Sequence, residues 1–471
     1  MENYIKANAS RIMLNRIEKY EIEMLAIALI ILVVGISFPY HIPVFGPYVL
    51  ALFIYSIFKR KKFYLPKSFL VYLSVCGLFV LGFVNSKIHH DLAIRDLRNM
   101  GFLTMFGLLL ISYIREKKDF ARFSVFFIRY TAVFITLISF IGLFKFFSML
   151  KGVEYSVFKI EDGYPWGSAL ISDCNYYALG GIIGLCACIY LIHIKDALLK
   201  KNWYYLFSIL IILNVVLAGS RRGIVVLAIL CGFIIIVSAV KWLFRWFRVS
   251  KVRLILFISI IGILGLVVSQ ITFKQISYVL SPMIEMSGID YQLFKEDITV
   301  VSFRYMTIIN SDININDYYA SLWGEPSTLK TDQLKAINKK GVASRLLRWK
   351  YALKLYSEYP FSSKIIGSGF DYIGDYSKEF GRWHHKPDYP HNPFLSALLY
   401  SGILGLFAFL LFMAQVSYYF LKYWREHWFY LAVFLFIAMF SMISGNSFFS
   451  VKIFPAVSLL PLLFTNNSSK E

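Results

Sequence analysis

The sequence predicts an all-α polytopic membrane protein with about twelve transmembrane helices. Its 471 residues are 58% hydrophobic and only 16% charged, with 44 Phe and 32 Tyr. A soluble protein with this balance would lack the polar side chains needed to cover its surface. Apolar runs long enough to cross a bilayer also recur along the chain, separated by polar connections. Composition and spacing together favour a chain that crosses the membrane many times.

The apolar runs and the basic residues between them predict the topology. The runs begin at about Glu23, Ile42, Leu65, Leu97, Phe123, Asn175, Trp203, Gly223, Leu254, Pro393, Trp428 and Phe448. Among the short connections, Lys and Arg concentrate in alternate ones, beginning with the N-terminal segment. Because basic residues favour the cytoplasmic side, both termini are predicted to be cytoplasmic.

This topology divides the chain into five segments. Residues 1–22 form a cytoplasmic N-terminus, 23–273 carry helices one to nine, and 274–390 form a long outer loop. Residues 391–464 carry the last three helices and 465–471 a cytoplasmic tail. A loop as long as 274–390 within a compact protein is usually functional.

Charge and cysteine usage argue against other classes of protein. The net charge of +21 is distributed in short clusters between apolar runs, as orientation signals are, so no nucleic-acid partner is predicted. The five cysteines form no CxxC pair. No Asp-x-Asp pair occurs, and the proline-rich stretch with His384, His385 and Asp388 sets no ligand geometry. We therefore expect no bound metal and no cofactor.

The first candidate for chemistry is His391, where the long polar segment returns to apolar sequence. Asn392 is a preferred N-cap residue, and Pro393 suits the first position of a helix. His391 is thus predicted at the positive end of a long membrane helix, which attracts anions and favours a neutral imidazole. The alternative interpretation is an interfacial histidine hydrogen-bonded to lipid headgroups or to the loop.

Gly402 and Gly405 follow His391 on the same predicted helix. Ideal helical geometry places Gly402 about 20° from His391 around the axis, and Gly405 about 40° to the other side. Both glycines are therefore predicted to lie under the histidine, in a packing stripe where another helix approaches closely.

Two arginine motifs are candidate anion sites. The first is the predicted outer turn at residues 219–223, where Arg221 and Arg222, held at a helix start, are candidates to bind a diphosphate bidentately. In the alternative interpretation, both arginine side chains extend to the lipid phosphates of the outer leaflet of the membrane. Asp173 and Asn175 stand at a predicted helix start, where capping is the expected role.

The second motif lies on a predicted helix at Val342–Glu358. Arg345, Trp349 and Ala352 share one face of this helix by their spacing. In the functional interpretation, Arg345 is a further phosphate contact and Trp349 a platform for lipid or sugar. A solvated basic face that includes Arg348 is the alternative.

Together these motifs resemble the family of O-antigen ligases and O-antigen polymerases. His391-Asn392, nine intervening residues, Gly402, two more and Gly405 are similar to the family's histidine motif. Further matching features are Ser220-Arg221, Asp173-x-Asn175, and Ser344-Arg345 followed by Trp349, Pro360, Gly367 and Gly369. The resemblance covers roughly residues 170–446, and the shared plan includes one long periplasmic loop before the histidine-bearing helix.

The resemblance implies a metal-independent, inverting glycosyltransferase at the periplasmic face of the inner membrane. The donor would be an oligosaccharide on undecaprenyl diphosphate. Arg221 and Arg345 would bind the diphosphate, and His391 would activate or orient the acceptor hydroxyl. Further substrate contacts are predicted at Ser220, Arg222, Arg348, Trp349 and Asn392. Other membrane proteins of polysaccharide assembly are candidate partners.

Polymerisation of O-antigen or surface-polysaccharide repeat units is the leading functional prediction. A ligase that moves the finished glycan onto lipid A core uses the same donor and differs only in its acceptor. A transporter of lipid-linked glycan or solute is the alternative from another class, and it predicts ionisable residues deep within helices. Nearly all charges here lie at predicted helix ends, with Arg129 and Lys145 close to theirs.

Overall fold

In the computed structural model, helices are the only regular secondary structure among the residues that it describes. These are residues 20–38, 44–59, 62–88, 91–150, 167–171, 173–194, 199–218, 220, 222–232, 342–380, 389–444 and 447–467. No strand occurs within these ranges, which confirms the all-α class. The predicted ninth helix, beginning at about Leu254, and residues 274–341 of the predicted loop lie outside them.

The helices are numbered here in chain order. They are α1 (Glu21–Gly35), α2 (Phe45–Phe58), α3 (Lys67–Asn85), α4 (Asp91–Tyr113), α5 (Lys117–Leu150), α6 (Cys174–Ile194), α7 (Lys201–Leu217), α8 (Arg222–Gly232), α9 (Val342–Glu358), α10 (Phe361–Ile366), α11 (Tyr372–Phe380), α12 (Pro393–Lys422), α13 (Trp424–Ser444) and α14 (Ile453–Leu459). Short 3₁₀ helices occur at Gly369–Asp371 and Leu460–Asn467.

Four of the described helices are long and apolar enough to cross a membrane: α3, α5, α6 and α12. Shorter apolar helices are α2, α7, α8 and the segment Ile453–Phe464. The predicted count of twelve transmembrane helices is therefore not confirmed. One reason is visible in α4, which has 23 residues but carries Asp91, Arg95, Asp96 and Arg98 in its first turns. These charges lower its hydropathy.

The chain divides into two compact units. The first unit consists of Met1–Gly35, Tyr40–Thr131 and Tyr319–Glu471, and the second of Ile36–Pro39 and Ala132–Tyr318. The histidine helix α12 belongs to the first unit, whereas the turn at residues 219–223 belongs to the second.

The core of the first unit is the packing of α3 against α12. Gly82 on α3 lies so close to the Tyr400 carbonyl that a Cβ atom at this position would collide with it. Three rings surround Phe79 at centroid distances of 4.9 to 5.2 Å, those of Phe370, Tyr400 and Phe449. Glycine and aromatic side chains thus hold the two helices at close range.

Ion pairs connect the start of α1 with neighbouring helix ends in the first unit. Lys59 Nζ at the end of α2 is 2.6 Å from Glu21 Oε1, and Arg122 Nε on α5 is 2.5 Å from Glu23 Oε1. Both cations belong to connections that the sequence predicts to be cytoplasmic. The start of α1, the end of α2 and the start of α5 therefore lie together at one end of the first unit.

The second unit contains a buried polar network between α6 and α7. Asn214 on α7 accepts a hydrogen bond from the Tyr177 hydroxyl at 3.1 Å and donates one to Ser139 at 3.2 Å. Lys145 is fully buried, and its amine donates to the Ala169 carbonyl at 2.5 Å. The sequence places Lys145 near a helix end, and the structure shows that its charge is nevertheless enclosed by protein.

Candidate active site around His391

His391 has a strained backbone. Its φ is 56°, and over the described residues no other non-glycine residue has a positive φ. This left-handed conformation costs about 1–2 kcal/mol for an ordinary side chain, although histidine tolerates it better than most. The Tyr389 ring lies against the imidazole, with a centroid distance of 4.4 Å. Strain that neighbouring contacts maintain is a recurring feature of functional sites.

The next two residues begin α12 as the sequence predicts. Asn392 is the N-cap, and its Oδ1 accepts hydrogen bonds from Phe394 N at 3.0 Å and Leu395 N at 3.2 Å. Pro393 occupies the first helical position. His391 therefore lies at the positive end of the helix dipole, beside backbone amides that favour an anion.

The helix is not continuous at Gly402. This residue has φ 63° and ψ −164°, so two helical stretches meet there. The angular positions expected for Gly402 and Gly405 assume a straight helix, and they do not hold beyond this break. The sequence pattern identified the two glycines, but it predicted a packing stripe where the structure has an interruption.

The interruption is filled by the backbone that links α10 to the 3₁₀ helix. The Ile365 carbonyl and the Gly367 amide lie where a Cβ atom on Gly402 would be. Ser368 N donates a hydrogen bond to the Leu399 carbonyl at 3.2 Å. A broken helix leaves carbonyls without their usual partners, and here the inserted segment supplies a donor. Of the Gly-x-Gly sequence at 367–369, Gly367 thus packs against Tyr400 of the histidine helix, whereas Gly369 packs against Gly82 and Ser86 at the end of α3.

Gly405 has a different environment from Gly402. A Cβ atom added there would first meet the Ser401 side chain of the same helix. Ser401 also donates a hydrogen bond to the Leu78 carbonyl of α3 at 2.9 Å. The close contact at Gly405 is therefore with a residue of α12 itself. Ser401, one turn earlier, makes the contact with α3.

The loop helix α9 spans Val342–Glu358 as predicted, and it docks beside His391. Trp349 Nε1 donates a hydrogen bond to the Pro390 carbonyl at 3.0 Å. The backbone carbonyl of Arg348 accepts a hydrogen bond from the Tyr376 hydroxyl at 2.5 Å. The guanidinium carbon of Arg348 lies 4.8 Å from the Phe380 ring centroid. Trp349 therefore helps to position the histidine segment.

Tyr372 and Ser396 form a polar contact beside the start of α12 that sequence reasoning missed. Their side chains are hydrogen-bonded, and both residues are buried. Burial raises the pKa of Tyr372, the hydrogen bond with Ser396 lowers it in part, and the Asp96 carboxylate raises it further. No sequence spacing connects Tyr372 with Ser396, because they lie on two separate helices, α11 and α12.

In the second unit, two side-chain hydrogen bonds hold Ser220 of the predicted Ser-Arg turn. Ser220 is fully buried, donates to Asn175 Oδ1 at 3.1 Å and accepts from Gly223 N at 3.0 Å. Asp173 caps α6, since its Oδ1 accepts from the amides of Asn175 at 3.0 Å and Tyr176 at 3.4 Å. Ser220 thus links the start of α6, through Asn175, to the start of α8, through Gly223.

The three arginines of the candidate anion sites are described to different degrees. Arg222 begins α8; burial lowers its pKa, and the Asp173 carboxylate acts in the opposite direction. Arg221 and the side chain of Arg345 lie outside the described residues. Their convergence on His391 stays a prediction.

The candidate metal ligands near His391 also fall largely beyond the described ranges. His384, His385 and Asp388 are among the residues left out of the description. Over the part of the chain that the structure describes, no three His, Cys, Asp or Glu residues are grouped as metal ligands.

Residues 206–410 match the family model described as O-antigen ligase. This segment, 205 of the 471 residues, is therefore similar to O-antigen ligases. It spans both arginine motifs, His391 and the two glycines of α12, so the resemblance drawn from the sequence is confirmed. This similarity suggests a membrane enzyme that handles glycans. No curated protein matches the chain.

Proposed function

We propose that the protein is a glycosyltransferase that polymerises repeat units of O-antigen or a related surface polysaccharide. The donor is a glycan carried on undecaprenyl diphosphate, and the reaction takes place at the periplasmic face of the inner membrane. One observation carries the proposal. His391 is held in a strained conformation at the capped start of α12, within the segment that matches O-antigen ligases.

In this proposal His391 acts on the acceptor hydroxyl. The field at the start of α12 disfavours the imidazolium form, which leaves a neutral ring able to accept a proton. The acceptor oxygen attacks the anomeric carbon while the imidazole takes the hydroxyl proton. Because the new bond forms opposite the leaving diphosphate, the anomeric configuration is inverted.

The diphosphate leaves with the electron pair of the broken carbon–oxygen bond. Arg221 and Arg345 are the proposed principal contacts for its charge, with Arg222 and the amides at the start of α12 as further donors. The position of Trp349 supports the role of Arg345. Trp349 contacts the segment before His391, and helical spacing puts Arg345 on the same face of α9. Because these groups stabilise the charge directly, the proposed reaction needs no metal or cofactor.

A ligase is the second candidate, and the description of the matching family favours it. In that case the same donor glycan is transferred to lipid A core. The chemistry at His391 is unchanged, because both reactions join an acceptor hydroxyl to the anomeric carbon of the donor. The two functions differ only in the group that approaches the imidazole.

The catalytic role is tested by His391→Ala in cells that depend on this protein for their surface glycan. We expect glycan assembly to be abolished while membrane insertion and protein level are unchanged, because the imidazole is lost without loss of a buried core. His193→Ala is the matched control, since His193 is an exposed histidine at the far end of α6. Normal surface polysaccharide from the His391 variant would show that the imidazole is not catalytic.

The acceptor is tested by the surface glycan of a deletion strain. A single repeat unit on the final carrier identifies the polymerase. Long chains that accumulate on undecaprenyl diphosphate identify the ligase. An unaltered glycan contradicts both functions.

A further inference from the structure

The two halves of α12, residues 393–401 and 403–422, do not continue in one line. The rings of Phe394 and Phe409 are in contact, with a centroid distance of 5.1 Å. A continuous helix would separate the Cα atoms of these two residues by about 22 Å, which is more than two phenylalanine side chains can bridge. The break at Gly402 therefore turns the first half of α12 sharply against the second.

Gly405 gives an independent measure of this bend. A Cβ atom added to Gly405 would lie 3.6 Å from the Ala397 carbonyl oxygen, and it would collide with Ser401 Cβ. A continuous helix would separate Ala397 and Gly405 by about 12 Å along its axis, so their contact exists only because the first half turns towards the second. Together, the ring contact and the contact at Gly405 limit the angle between the two halves to about a right angle or less.

The bend gives each glycine of the histidine motif a separate task. Gly402 adopts the positive φ of 63° at the corner, which glycine does without steric cost. Gly405 omits the side chain that would hold the two halves apart. The bent arrangement is also buried, because Phe409 is only 1% exposed and its ring contacts that of Phe448 at a centroid distance of 5.1 Å. His391 directly precedes the first half and is carried by it.

The second half of α12 is long enough to cross the membrane by itself. At 1.5 Å per residue, residues 403–422 extend over about 30 Å, which matches the hydrocarbon core of a bilayer. Exposed apolar side chains follow the break immediately, and they include Ile403, Leu404, Phe407, Leu410 and Leu411. In the predicted topology, Gly402 therefore lies at the outer boundary of the hydrocarbon layer.

We propose that the bend positions His391 at the depth of the diphosphate of a lipid-linked donor, with Gly405 as a positioning residue. The inference rests on the proposed function, for which it supplies the reason that α12 is broken. The reacting anomeric carbon is bonded to a diphosphate whose other end is bonded to the lipid, so the reaction takes place at the membrane surface. A straight α12 would carry His391 about 16 Å beyond Gly402, away from that surface. With the halves at a right angle or less, His391 stays close to the level of Gly402.

The bend is tested by the distance between two nitroxide labels on the purified full-length protein in phosphatidylcholine nanodiscs. The labels are attached to Leu395→Cys and Leu421→Cys, one in each half of α12. Serine replaces Cys174 and Cys231, because the other three native cysteines are buried. We expect a distance of about 30 Å or less, whereas a straight helix would give about 39 Å and would overturn the proposal. The control pair Ile403→Cys/Leu421→Cys lies within the second half and should give about 27 Å.

The positioning role is tested by Gly405→Ala. The added Cβ collides with Ser401 and should open the bend, so we expect the distance between labels at 395 and 421 to increase and glycan assembly in cells to fall at least tenfold. Gly77→Ala on α3 is the matched control, because no atom lies within 4 Å of its added Cβ, and it should leave both measurements unchanged. Normal assembly by Gly405→Ala would overturn the role of Gly405.

A rescue variant separates loss of position from loss of fold. Ser401→Gly/Gly405→Ala removes the colliding side chain, so it should restore both the label distance and most of the glycan assembly. Ser401→Gly alone measures the cost of losing the hydrogen bond to the Leu78 carbonyl. If the double variant recovers the label distance but assembles less glycan than Ser401→Gly does, the bend does not determine activity and the proposal is overturned.

Failure of this inference is distinct from failure of the proposed function. A straight α12, together with loss of glycan assembly in His391→Ala, would reject the bend and leave the catalytic role of His391 in place. A bent α12, together with normal surface glycan from His391→Ala, would reject the catalytic role and with it the purpose assigned to the bend.

Discussion

At the scale of the residue, Asn392 both caps α12 and directly follows the residue with the strained backbone. Its Oδ1 accepts from two backbone amides of α12, and its backbone follows the left-handed His391 directly. The cap stops the helix from extending backwards through the histidine. His391 can therefore keep a backbone conformation that a helix would remove.

The first prediction concerns this cap. Asn392→Ala should lower the free energy of unfolding by about 1 kcal/mol, because two amides lose their acceptor. It should also reduce glycan assembly, because the His391 backbone is released. The measurements are thermal unfolding of the purified protein and surface glycan in cells.

Asn392→Ser is the matched control, because serine is also a good N-cap without the amide group. It should preserve both stability and assembly. A serine variant that is stable but inactive would instead assign the Asn392 side chain to the substrate, which is the role that the sequence analysis predicted for it.

At the scale of the element, the histidine helix depends on the segment packed into its break. Gly402 has φ 63° and Gly367 has φ 84°, and each lies against the backbone of the other's segment. In an apolar environment, freed backbone groups must find partners within the protein. The hydrogen bond from Ser368 to Leu399 meets this need at one carbonyl and ties the loop to α12.

The second prediction is that Gly402→Ala destabilises the protein strongly. The alanine Cβ would collide with the backbone of residues 365–367, and its positive φ adds strain, so the cost should exceed about 2 kcal/mol. Gly101→Ala on α4 is the control, because no atom lies within 4 Å of the added Cβ. It should change stability by less than about 1 kcal/mol. Equal melting temperatures for the two variants would contradict the conclusion that residues 365–367 fill the break in α12.

At the scale of the whole molecule, the orientation in the membrane is a prediction from the distribution of charge. The ion pairs of Lys59 and Arg122 with α1 lie in connections predicted to be cytoplasmic. The segment with His391 is predicted to be periplasmic. Sidedness decides the function, because a lipid-linked glycan is used only on the side where its sugar is presented.

The third prediction tests this orientation. Lys378→Cys on α11 should react in intact cells with a maleimide that does not cross the membrane, whereas Lys118→Cys on α5 should react only after the membrane is opened. The two sites are matched, since their side chains are 84% and 79% exposed. The unmodified protein measures background from the native cysteines, three of which are buried. Reversed labelling would place the active site in the cytoplasm.

Part of the candidate site was predictable because its causes are local. The start of α12 follows from Asn392 and Pro393, whose capping and φ preferences act within one turn. The boundaries of α9 follow from helical spacing and from Pro360. The family motif identified His391 and both glycines of α12, and the family match confirms that resemblance.

The rest was not predictable, because its causes join residues that are far apart in the sequence. Nothing near Gly402 indicates that residues 365–367 fill a break there, since the pattern alone suits a packing stripe. The contact of Trp349 with Pro390 joins the loop helix to the histidine segment across 41 positions. A helical face predicts that a side chain is buried, but not what buries it.

By itself the sequence determined that this chain is an all-α membrane protein, where its histidine helix begins, and which family its central segment resembles. These follow from hydropathy, capping and short motifs, which are properties of neighbouring residues. Only the tertiary structure decided that α12 is broken at Gly402, that the loop enters this break, and that Trp349 of α9 binds the Pro390 carbonyl just before His391. Such features depend on which distant segments pack together, and packing is settled by shape and by paired polar groups across the whole fold.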